Sequence, residues 1–133
     1  MGMNKGTHWG IIIAIVLVVI AAAAIRAQAG QDCQPPDTIK FESTAYCETG
    51  DPTASGKWPR EGVTVAVDPD VIPLGSAVMI WDAAGEWMGI YEAQDTGRLI
   101  RGRIIDIYMD EHRDAVEWGR QTVYIRVIPG AVG

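Results

Sequence analysis

The chain has 133 residues, with 17 acidic and 11 basic side chains, 2 cysteines and a hydrophobic fraction of 48%. That length holds one ordinary domain, and the hydrophobic fraction excludes wholesale disorder. A formal net charge of −6 without a basic cluster excludes nucleic acid, whose phosphates are held by Lys and Arg.

The first segment is the most apolar. Ile11–Ile25 contains only Ile, Val, Leu and Ala, with Lys5 before it and Ala27-Gln28-Ala29 after it. A basic start, an apolar centre and a small-x-small end make residues 1–29 a secretory signal peptide. The run is shorter than the roughly 20 apolar residues that cross a bilayer. If it is retained, residues 9–25 act as a signal anchor and give the only membrane attachment. Either outcome sends the rest of the chain out of the cytoplasm, to the cell envelope or the extracellular space. Without residues 1–29 the chain loses Lys5 and Arg26 and no acid, so the exported part is more acidic still.

Residues 30–38 contain Pro35 and Pro36 and few apolar side chains, and they read as a linker. Cys33 and Cys47 both lie in the exported part, where oxidation is permitted, so they are a candidate disulfide or idle thiols. A nucleophilic Cys47 lacks support, because His112 is the only exported histidine and has no evident orienting acid. Gly30-Gln31-Asp32 before Cys33 does not fit a lipobox.

The folded domain spans residues 39–130. Ile39–Tyr46 alternates partly, and Val63–Val67 places three valines on one face. Ala77–Trp81 and Trp87–Tyr91 flank a turn in which Gly85 supplies the reversal. Ile104–Met109 and Thr122–Ile128 are the last two runs, and in the second Val123, Ile125 and Val127 face inward. Between them Asp110 caps a short helix over Glu111–Trp118, which Gly119 ends. Six short strands and one short helix predict an all-β fold, a small closed barrel without exposed edges.

Asp106 breaks the pattern. It stands in Ile104-Ile105-Asp106-Ile107-Tyr108, where both faces are otherwise apolar. An unpaired ionised carboxylate costs several kcal/mol to bury. Either Asp106 is paired with an arginine or backbone amide, or faces solvent, or its carboxyl is held protonated and suits general acid catalysis. Asp95, before Thr96-Gly97, and Asp68, before Pro69, also end strands, so three aspartates converge at one barrel mouth. Each is ordinary turn chemistry alone.

Thr44-Ala45-Tyr46-Cys47, Thr53-Ala54-Ser55-Gly56, Val65-Ala66-Val67-Asp68-Pro69, Ile72-Pro73-Leu74-Gly75-Ser76, Asp95-Thr96-Gly97 and Gly102-x-x-Ile105-Asp106-Ile107-Tyr108-Met109 follow in order. Over about residues 42–128 this series resembles the 3D domain, named for three aspartates and found in cell-wall muralytic proteins and the lytic transglycosylase A family. The resemblance implies a six-stranded double-psi β-barrel and a peptidoglycan glycan substrate. It also implies that Asp106 is the catalytic aspartate, with Asp95 and Asp68 as the other two. The chain departs from the family where Arg98 replaces a second glycine and Arg101 replaces a lysine. Arg98 is read as contacting a substrate hydroxyl or a stem-peptide carboxylate.

On this reading the chain is a peptidoglycan lytic transglycosylase. Asp106 protonates the glycosidic oxygen, then accepts the proton of the muramic acid C6 hydroxyl as that hydroxyl closes a 1,6-anhydro ring. Asp95 orients Asp106 or stabilises the developing cation, and Asp68 is structural or orients substrate. Thr53, Ser55, Trp58, Tyr46, Arg98, Arg101 and Tyr108 are candidate sugar-binding residues. Trp81, Trp87 and Trp118 belong to the core or barrel surface, and His112 is solvated. The alternatives are a wall-binding module that does not cut, and a hydrolase using two carboxylates. No P-loop or EF-hand spacing is present, and no metal or cofactor is called for. A monomer acting on glycan strands is expected.

Overall fold

The computed structural model describes residues 34–131. The expected signal segment, the first residues of the expected linker and Cys33 lie outside the described residues, so the candidate disulfide does too. Among the described residues no helix is long and apolar enough to cross a membrane.

Six strands and one helix form in the order β1 (Ile39–Tyr46), β2 (Thr64–Ala66), β3 (Ala77–Trp81), β4 (Trp87–Asp95), β5 (Ile104–Tyr108), α1 (His112–Trp118) and β6 (Gln121–Ile128). The strands close into a barrel in the order β1-β5-β2-β4-β3-β6. β1 runs parallel to β5, and β2 runs parallel to β4. The other four pairings are antiparallel.

The alternation in the sequence decides what fills the barrel. Val65, Val78, Ile80, Ile105, Val123 and Ile125 are fully buried and come from four different strands. Burial of each contributes about 1.5–3 kcal/mol. Trp118 packs against this core and donates its indole N–H to the Ser43 hydroxyl at 3.2 Å, which fixes α1 on β1. Trp81 and Trp87 pack edge to face across the β3–β4 hairpin, with ring centroids 4.9 Å apart. In that turn the Asp82 carboxylate accepts the amides of Ala84 and Glu86, each at 2.9 Å, and Gly85 takes a φ of 82°.

Two boundaries differ from those expected. β4 continues four residues past Tyr91, through Glu92 and Gln94, whose polar side chains are buried but satisfied by partners. The helix is entered from Glu111 rather than Asp110, and no side chain caps it. The Asp110 amide donates to Glu61 Oε2 at 2.8 Å, which holds Asp110 in the connection ahead of the helix. Gly119 ends α1 with a φ of 61°, as expected.

Candidate active site

The site is a row of paired residues on adjacent strands. Thr44 on β1 is opposite Asp106 on β5, Asp106 is opposite Ala66 on β2, and Ala66 is opposite Asp95 on β4. Paired residues share a sheet face. Ile105 and Ile107, on either side of Asp106, point into the core, so the row lies on the opposite face.

Asp95 reaches that face through an irregularity. Tyr91 and Ala93 point into the core, and strict alternation would send Asp95 after them. Val65 pairs with Ala93, however, and the next residue, Ala66, pairs with Asp95. Gln94 is therefore an extra residue, a β-bulge that re-aims the side chain following it. Ala66 between the two aspartates carries only a methyl group.

The two carboxyls have different surroundings. Asp106 Oδ1 accepts the Thr44 hydroxyl at 2.8 Å, and Asp106 forms no ion pair among the described residues. Burial pushes its pKa above the ordinary carboxylate range, the Thr44 hydrogen bond opposes this, and the Asp95 charge adds to it. Asp95 is held by three donors: the Tyr46 hydroxyl at 3.0 Å on Oδ2, and the amides of Ala54 at 3.0 Å and Thr96 at 2.9 Å on Oδ1. Burial first, and then the Asp95 charge, push the Tyr46 phenol up, so it stays a donor.

Asp68 does not share this arrangement. Its Oδ1 accepts the Asp70 amide at 3.1 Å, and its Oδ2 accepts the Gly102 amide at 2.7 Å. Those two amides hold its pKa low, with Arg101 at 3.8 Å adding to them. Asp68 is not among the groups that shift Asp106, and its carboxylate is bound instead to the loop that carries Arg101 and Gly102. Arg98 is exposed and its backbone is ordinary, since Asp37 is the non-glycine with positive φ among the described residues.

The remaining candidates divide. Thr53 is buried and donates to the Lys57 carbonyl at 2.7 Å, so its hydroxyl braces its own loop. Ser55 is exposed beside it, with the two hydroxyls 3.0 Å apart. Trp58 is 61% exposed, a free aromatic face. Tyr108 is 5% exposed and packs edge to face on Tyr46, 5.4 Å between centroids, which makes it a support for Tyr46.

A groove of about 530 Å³ opens between β1 and α1, with Thr44, Tyr46 and Cys47 on one side and His112, Ala115 and Val116 on the other. Two of these side chains, Thr44 and Tyr46, are the ones that hold Asp106 and Asp95. Among the described residues Cys47 has no disulfide partner, and its Sγ lies 3.4 Å from His112 Nδ1. His112 is exposed, as expected of a solvated side chain, and its ring also reaches Cys47 at the end of β1. Sequence reasoning also missed Thr44, Ala66 and the bulged Gln94 as parts of the site. The signals for Thr44 were its place in the Thr44-Ala45-Tyr46-Cys47 motif and its position two residues before Tyr46, on the same face of β1.

A closed, mixed β-barrel with two aspartates in register across one small residue defines the class of protein. Residues 63–129 match the 3D domain family, and the chain belongs to it. The match includes Asp68, Asp95 and Asp106. The cell wall-binding protein YocH of Bacillus subtilis (strain 168) is 44% identical over 64 residues, which are 48% of this chain and 21% of that protein. The SPbeta prophage-derived uncharacterized protein YorM of the same organism is 38% identical over 101 residues, covering 67% of this chain and 40% of that one. The chain thus spans less than half the length of either relative. Among solved structures, MltA from E. coli aligns with a TM-score of 0.48 and 20% identity, over 63% of this chain and 29% of that one.

Proposed function

We propose that the domain cleaves the glycan strand of peptidoglycan as a lytic transglycosylase, outside the cytoplasm, on a barrel of the double-psi type. The observation that carries this reading is the unequal pair. Asp106 has burial and a neighbouring negative charge favouring its proton, whereas Asp95 is fully engaged by donors. Two titratable groups with environments this different divide the roles of acid and charge stabiliser.

In the proposed reaction the Asp106 carboxyl gives its proton to the glycosidic oxygen, and the C1–O bond to the leaving sugar breaks. The carboxylate left behind accepts the proton of the muramic acid C6 hydroxyl as that oxygen bonds to C1. Asp95 stabilises the positive charge that builds on the ring, and Thr44 orients Asp106. Trp58 offers a stacking face, and Ser55, Arg98 and Arg101 offer donors to sugar or stem-peptide groups. Two-carboxylate hydrolysis is the weaker reading, because it asks Asp95 to take a proton from water while both its oxygens accept hydrogen bonds.

The name of YocH as a cell wall-binding protein favours a second reading, a module that grips the same glycan without cutting it. Mass spectrometry of the soluble products released from purified peptidoglycan separates these readings. Anhydro-muropeptides released by the full chain and lost with Asp106→Asn support the transglycosylase. Products carrying added water support hydrolysis. Wall retention by both proteins with no soluble product overturns the enzyme reading in favour of the binding module.

A further inference from the structure

Gln94 is 1% exposed in the middle of the barrel wall, where a polar side chain is costly unless every group on it is paired. Its Oε1 accepts the Thr64 hydroxyl at 2.6 Å, and its Nε2 donates to Glu92 Oε2 at 2.8 Å. Thr64 in turn accepts the Arg60 amide at 2.9 Å, and Glu92 Oε1 receives the Lys57 ammonium at 2.6 Å. Each side-chain polar atom in this chain has a partner, and no buried side-chain N or O atom among the described residues lacks one. An amide is the group the position requires, because it accepts from a hydroxyl at one end and donates to a carboxylate at the other.

The backbone on either side is pinned as well. The Gln94 carbonyl accepts the Ser55 amide at 2.9 Å, and the Asp95 carbonyl accepts the Val67 amide at 3.0 Å. Gln94 is the extra residue of the β4 bulge, and Asp95 is the residue that the bulge turns away from the core. The network therefore touches neither aspartate's carboxyl yet sits where the direction of Asp95 is decided.

We propose that Gln94, held between Thr64 and Glu92, is a positioning residue that maintains the β4 bulge and thereby sets Asp95 beside Asp106. The inference deepens the transglycosylase reading and rests on it only for its activity arm. A glutamate at position 94 would put a second carboxylate against Glu92, and a methionine would fill the space while leaving Thr64 and Glu92 each short of a partner.

The test follows the Asp106 carboxyl by ¹³C NMR in full chain labelled at aspartate, with Asp106→Asn assigning the resonance. In Gln94→Met the Asp106 titration midpoint is expected to fall toward the ordinary carboxylate range, because the neighbouring Asp95 charge has moved away. Product release, where the wild type shows it, is expected to drop on the order of 100-fold through kcat rather than KM. An unchanged Asp106 midpoint in folded Gln94→Met overturns the proposal. If Gln94→Met does not fold, Thr64→Val and Thr64→Ser decide it. The midpoint shifts in the valine variant and is restored by serine if the hydroxyl–amide link positions Asp95, and identical midpoints in the two overturn the proposal. A wild type that releases no product defeats the transglycosylase reading, while the titration still decides the role of Gln94.

Discussion

Thr44 and Asp106 lie opposite each other in the parallel β1–β5 ladder, and the threonine hydroxyl donates to the carboxylate at 2.8 Å. The bond orients the carboxyl and favours its ionised form, while burial and the Asp95 charge favour the protonated one. Burial wins. Thr44→Val therefore raises the Asp106 pKa further, and the limb of the pH–rate profile at which the acid ionises moves to higher pH. Rates of product release measured across pH check this directly.

The raised Asp106 pKa has a cost in stability. The folded state holds this proton more tightly than the unfolded chain does, so stability is highest below the ordinary carboxylate range. It declines as pH rises through that range to the raised value, and stays lower above it. Asp106→Asn removes the penalty. The variant is expected to melt at a higher temperature than the wild type near neutral pH and to gain nothing in strong acid, which calorimetry at the two extremes would reveal.

Asp68 works in the opposite sense. Its carboxyl, held low by the Gly102 and Asp70 amides, contributes stability above the ordinary carboxylate range, and this is lost as pH falls through its folded value. Asp68→Asn is expected to lower the melting temperature at neutral pH, with the deficit closing in acid. Hydrogen exchange at the Gly102 amide is expected to quicken at the same time.

Gly97 is fixed by space. A Cβ there would stand 2.8 Å from Ile100 Cγ1, close to the branch of a buried side chain that cannot swing clear. Gly97→Ala is expected to destabilise the fold by about 1–3 kcal/mol, read from denaturant unfolding of variant and wild type.

The groove beside α1 gives a fifth handle. In a Cys33→Ser background, a bulky maleimide attached to Cys47 fills the space next to Thr44 and Tyr46. Glycan binding and product release are expected to fall on labelling, and the same reagent is expected to leave a Cys33→Ser, Cys47→Ser protein unaffected. Undiminished glycan binding and product release after Cys47 is labelled would place the glycan elsewhere.

Much of this architecture was legible because apolar alternation marks strands wherever one face is buried. All six runs were visible, and Asp106 stood out as a charge between isoleucines. β4 was cut short at Tyr91 because Glu92 and Gln94 look like solvated residues until their partners, distant in sequence, are in place. No local marker announces the bulge, so the direction of Asp95 could not be read. The parity of its strand in fact points it into the core. Asp68 was grouped with the other two aspartates by motif, and only its bonds to loop amides separate it from them. Arg98 needs no glycine-like backbone, which strand and turn signals do not disclose.

The carboxyl site has almost no local component. The Thr44–Asp106 contact joins residues 62 positions apart, and the Tyr46–Asp95 contact joins residues 49 apart. Both belong to a ring of strands in which every member depends on two others. Long-range pairings of this kind form slowly and together. Neither an unfolded chain nor a fragment of one carries a weakened version of the site. The aspartates meet when the ring closes, so chemical competence at this position is itself a report that folding has finished.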